Sequence, residues 1–136
     1  MSNVIYPRET WEWNGMVGHF ICGQWCRFHL ATTVGPWLVS TVGLYVHPRR
    51  SGGSEQTERA YLKKNPFGED IGVDWKFETM VFRAGKPCDN GVCDCGIPML
   101  DPATELDADR YKTPGAANRG HFAMCDKWSR IPEWNR

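Results

Sequence analysis

The chain has 136 residues, with sixteen basic and sixteen acidic side chains and no formal net charge. That balance excludes the broad basic field that draws nucleic acid or anionic lipid, and the length fits a single domain over residues 1–136. Seven Trp and six Cys are present, whereas Leu, Ile, Val and Phe together make up just under a fifth of the chain, so a core that rests on a few rings calls for a staple.

Residues 1–13 show no apolar run behind a basic start, so no secretory signal is read there. No segment approaches the roughly 20 apolar residues of a membrane helix. These features predict a reducing compartment, in which the cysteines serve as thiols or metal ligands. Export would favour a disulfide framework instead.

In chain order, residues 1–15 read as an irregular arm that ends in Asn14-Gly15 and is pinned by Trp11 and Trp13. His19, Cys22, Cys26 and His29 follow at spacings of three, four and three, which a helix would gather on one side. The alternation of Cys26, Phe28 and Leu30 favours a strand over residues 25–33 instead. Gly35-Pro36 makes a turn, and Trp37 to Val46 is the most β-prone stretch of the chain. An antiparallel hairpin over about 25–46 is predicted.

Residues of about 48–70 read as a polar surface insertion. It begins with Arg49-Arg50-Ser51-Gly52-Gly53 and holds a short helix from Glu55 to Lys64. Arg49, Arg50, Lys63 and Lys64 can form a local basic patch, although a solvated helix face is the better explanation of them. A third strand, about 75–83, puts Trp75, Phe77, Thr79 and Val81 on one face and Met80 and Phe82 on the other, so it is central. The stretch of about 105–111 reads as an edge strand. Its carboxylates lack the glycine and ligand spacing of a calcium loop.

The last element is a helix over about 114–130. Thr113 is its N-cap and Pro114 takes the first helical position. Ala117, His121, Met124, Cys125 and Trp128 form one inward stripe. Gly120 weakens the helix by about 1 kcal/mol relative to Ala, which is tolerable if the helix lies close on the sheet there. The predicted architecture is therefore α+β: a small antiparallel sheet with a C-terminal helix packed on it.

The chemistry-bearing stretch is Cys88-Asp89-Asn90-Gly91-Val92-Cys93-Asp94-Cys95-Gly96, three thiols within eight residues of turn-forming sequence. It has little apolar material to hold it. A structural zinc takes four Cys or His ligands, and Cys88, Cys93 and Cys95 supply three. Either Cys125 or His121, one helical turn apart on the buried stripe, supplies the fourth; taken alone, Cys125 is more often a small core residue and His121 a hydrogen-bonded core histidine. Cys22 and Cys26 read first as packing residues of the first β layer; with His19 and His29 they form a second candidate metal set. No Gly-rich phosphate loop, Gly-x-Ser-x-Gly elbow or His-Glu-x-x-His pair is present, so an enzyme is not expected.

Val39-Ser40-Thr41-Val42-Gly43, Glu78-Thr79-Met80-Val81-Phe82 and the closing Gly120-His121, Met124-Cys125 and Lys127-Trp128 span much of residues 26–130. In these the chain resembles a group of uncharacterised small proteins from bacteriophages and prophages of actinobacteria. The resemblance implies a phage origin and brings no activity with it. The leading expectation is a non-enzymatic, zinc-stapled phage protein that binds a host or phage protein, in the host cytoplasm. Its partner surfaces would be Arg49, Arg50, Lys63 and Lys64 and an exposed arm carrying Trp11 and Trp13. Nucleic acid and membrane are not expected as partners. The rival readings are a head or tail component of the virion, and a small thiol- or metal-dependent enzyme.

Overall fold

The computed structural model describes residues 3–14, 26–45, 55–64, 75–87, 98–100 and 105–134. The Cys88–Cys95 turn, His19, Cys22, Arg49 and Arg50 lie outside them. The elements are β1 (Glu12–Trp13), β2 (Cys26–Val34), β3 (Trp37–Tyr45), α1 (Glu55–Lys64), β4 (Phe77–Pro87), β5 (Pro98–Leu100), β6 (Asp107–Tyr111) and α2 (Pro114–Trp128), with a 3-10 turn at Arg8–Thr10. The fold is α+β, as the sequence predicts.

All strand pairs are antiparallel, in the order β1-β2-β3-β4. The outer edge of β4 is long enough for two partners: β6 pairs with Phe77–Val81, and β5 pairs beyond them at Ala84 and Pro87. The hairpin closes through two residues, with Val34 opposite Trp37. Gly35 has φ +57°, the positive value that a type II′ turn needs at its first position. The Tyr6 ring lies over Gly35 where any Cβ would sit.

Strand alternation decides the core. Thr32 and Val34 of β2, Trp37, Val39 and Thr41 of β3, and Phe77, Thr79 and Val81 of β4 are buried on one face. Against them α2 sets its stripe of Ala117, His121, Met124, Cys125 and Trp128, all five buried as predicted. Each large apolar side chain fully buried there contributes about 1.5–3 kcal/mol relative to exposure. Leu38, Val42 and Phe82 on the other face are buried as well, which is why β3 and β4 are apolar on both sides. The Thr113 hydroxyl accepts from Ala116 N–H at 3.1 Å and caps α2.

The two ends of the chain are knit together beside the hairpin turn. Ile5 and Tyr6 N–H groups donate to Ser129 O at 2.8 and 3.0 Å. Trp11 Nε1 donates to Tyr6 O at 2.8 Å, and Trp37 Nε1 donates to Ile131 O at 2.9 Å. Trp37 meets Trp128 edge-on at 5.1 Å and Trp134 at 4.8 Å. The arm expected to be irregular is thus ordered by β1 and by these bonds. The expectation that both arm tryptophans are exposed needs correcting. Trp13 is 50% exposed, but Trp11 is 9% exposed and belongs to the core with Val34, Trp37 and Trp128, because the arm folds back across the end of α2.

Candidate functional site

Two places combine chemistry with geometry: the buried face of α2, and the groove where the N-terminal arm crosses it. On the buried face His121 is 0% exposed. Its Nε2 stands 2.8 Å from Thr32 Oγ1 and its Nδ1 2.7 Å from Thr41 Oγ1. Thr41 Oγ1 in turn lies 2.6 Å from Thr79 Oγ1, its partner across β3 and β4. A neutral imidazole donates from one nitrogen and accepts at the other, and each hydroxyl can do either, so the row closes without an orphan. Burial pulls His121 down to about 4, and the charge of His29 adds to the fall. At neutral pH the ring is uncharged, the only form that this site can hold cheaply.

One turn on, Cys125 is a free, fully buried thiol. Burial pushes it up to about 12, although the Thr32 hydroxyl and the Arg8 charge pull the other way. A thiol of that acidity is not a nucleophile at neutral pH. His121 therefore bonds helix to sheet while Cys125 is packed in the core between them, and a zinc ion bound at His121 would have to displace one of two threonine hydroxyls. Of the second candidate metal set, Cys26 and His29 lie on β2. Among the described residues no group of three or more metal-ligating side chains comes together.

The second place is at the surface. Val4, Arg8, Trp11, Phe122, Ala123, Asp126 and Ser129 line a mostly apolar groove of about 350 Å³. The exposed Trp13 ring packs on Phe122 at 5.5 Å and on Trp11 at 6.1 Å. Arg8 lies over the same rings, 5.2 Å from the centre of Phe122 and 5.9 Å from that of Trp11. Val4, which lines the groove, and its neighbour Ile5 are exposed at 45% and 44%. The sequence pointed to Trp13 but missed Arg8 and Phe122. Phe122 is one residue off the buried stripe, and only the return of the arm makes it part of a surface. Of the basic patch, Lys63 and Lys64 are exposed in the last turn of α1.

The carboxylates of β6 are structural. Asp107 Oδ2 accepts from Lys127 Nζ and from Trp128 Nε1 at 2.6 and 3.0 Å. Burial raises this carboxyl, but the bonds from Lys127, Trp128 and the Ala108 N–H outweigh it and hold Asp107 below the usual value. Asp107 Oδ1 and Asp109 Oδ1 accept from the N–H groups of Ala108 and Arg110, both at 2.9 Å. Those two amides on an edge strand are thereby occupied. No described helix is long and apolar enough to cross a membrane. Comparison with family models, curated proteins and solved structures finds no match for the chain.

Proposed function

We propose that the protein is a non-enzymatic binding module of bacteriophage origin that docks a protein partner through the groove between its N-terminal arm and α2. The observation that carries this reading is Trp13, half exposed yet packed on Phe122 at a groove that the exposed Val4 also lines. A contiguous apolar surface of this kind marks an interaction site, and a rigid aromatic anchor next to an arginine is the composition of a binding hot spot. The balanced charge argues against nucleic acid as the partner. The phage origin rests on the sequence resemblance over residues 26–130. A zinc ion held by Cys88, Cys93 and Cys95 belongs to the same reading, supported by three thiols in a turn with little apolar content.

The test is site-specific cross-linking in the cells that make the protein. A benzophenone amino acid in place of Trp13 captures one dominant partner protein, and the same group in place of Lys63, in the last turn of α1, does not. Equal capture from both positions, or none from position 13, would sink the reading. Finding the protein at fixed copy number in purified virions would favour the structural alternative.

A further inference from the structure

We propose that this groove takes an acidic, apolar segment of the partner, a carboxylate set against Arg8 with an aromatic or aliphatic side chain on the groove floor. The inference rests on the binding reading above and adds the chemistry of what is bound.

The floor and one wall are apolar, formed by Val4, Trp11, Phe122 and Ala123. At about 350 Å³ the groove is at the small end of ligand sites, which span roughly 300–1,000 Å³, and suits a short peptide segment. Arg8 supplies the specificity. Its guanidinium rests on the faces of Phe122 and Trp11. Among the described residues no carboxylate pairs with it. A guanidinium seated on rings keeps its N–H edge free and matches a carboxylate with two parallel hydrogen bonds. The other charged group of the groove, Asp126, is already paired with Arg130 at 3.5 Å. The uncompensated charge is therefore positive. A basic segment would meet Arg8 with repulsion. A nucleic acid strand would find one cation where a phosphate track needs several.

The experiment uses the full chain and two blocked tetrapeptides, one alternating aspartate with phenylalanine and one alternating lysine with phenylalanine. Binding is followed by calorimetry and by amide chemical shifts. The acidic peptide binds at least tenfold more tightly than the basic one, and its shifts cluster at Arg8, Phe122 and Ala123. Arg8→Gln, whose fold is checked by circular dichroism, removes about tenfold of that affinity, and added salt weakens the wild type but not the variant. Several results would overturn the proposal. They are equal affinity for both peptides, no binding of either at millimolar concentration, tighter binding of oligo-thymidylate, or shifts at these amides that follow protein concentration alone and so report a second copy in the groove. If any of these occurs while position 13 still captures one partner, the chemistry proposed for the segment fails and the binding reading stands.

Discussion

The Tyr111 ring, at the end of β6, lies on the backbone of Gly120 in the middle of α2, where an added Cβ would overlap the ring carbons and the hydroxyl. The helix can approach the sheet this closely only because position 120 has no side chain. Gly120→Ala gains about 1 kcal/mol of helix propensity but forces a buried ring to move, a cost of about 1–3 kcal/mol. A net loss is expected in urea titrations. Pairing it with Tyr111→Leu should cost less than the sum of the two single changes. Strict additivity would mean that the ring does not set the helix–sheet distance.

His121 makes stability depend on pH in a definite direction. Its folded value, about 4, lies below its unfolded value of 6.5. The unfolded chain therefore binds the proton first, and stability falls as pH drops below 6.5 until the folded form also protonates near 4. The loss is about 2 kcal/mol at pH 5 and about 3 kcal/mol at pH 4. His121→Gln is less stable than wild type at pH 7, because a row of buried hydroxyls loses its partner, and the gap narrows between pH 7 and 5. A constant gap across that range would show that the imidazole is not held neutral.

Asp107 and Asp109 guard the edge of the sheet. Asp107→Asn should cost about 1–2 kcal/mol, because it weakens charge-assisted bonds from Lys127 and Trp128. The Asp107 contribution is present above pH 3.8 and is lost as pH falls through its lowered folded value. Replacing both aspartates with alanine uncovers the Ala108 and Arg110 amides. Concentration-dependent association in analytical ultracentrifugation is then expected. A monomeric double variant at high concentration would show that those amides do not matter for association.

Zinc is tested directly. Elemental analysis of the purified protein is expected to find about one equivalent. Chelation should lower the melting temperature by about 10 °C or more, and Cys93→Ser should reproduce that loss. His121→Gln should keep its metal, since both ring nitrogens are engaged by Thr32 and Thr41. A metal-free protein whose melting is indifferent to chelator would end the zinc proposal.

Much of the scaffold could be read before folding because local physics specifies it. The alternation through Thr79 and Val81, the Gly35-Pro36 turn, the Thr113 cap and the stripe from Ala117 to Trp128 each depend on near neighbours in the chain. Gly120 could be read the same way, as a point of close approach. Trp11 could not. Its ring looks like half of an exposed pair, and it is buried because the arm folds back over the end of α2.

The sequence by itself determined the hairpin, the central strand and the inward face of the last helix, because hydrophobic period and capping are local properties. Only the tertiary structure decided that His121 bonds to threonines on two strands, eighty and eighty-nine residues away in the chain. It alone set Arg8 on Phe122, because a surface built from the two ends of a chain exists only once long-range packing has brought them together.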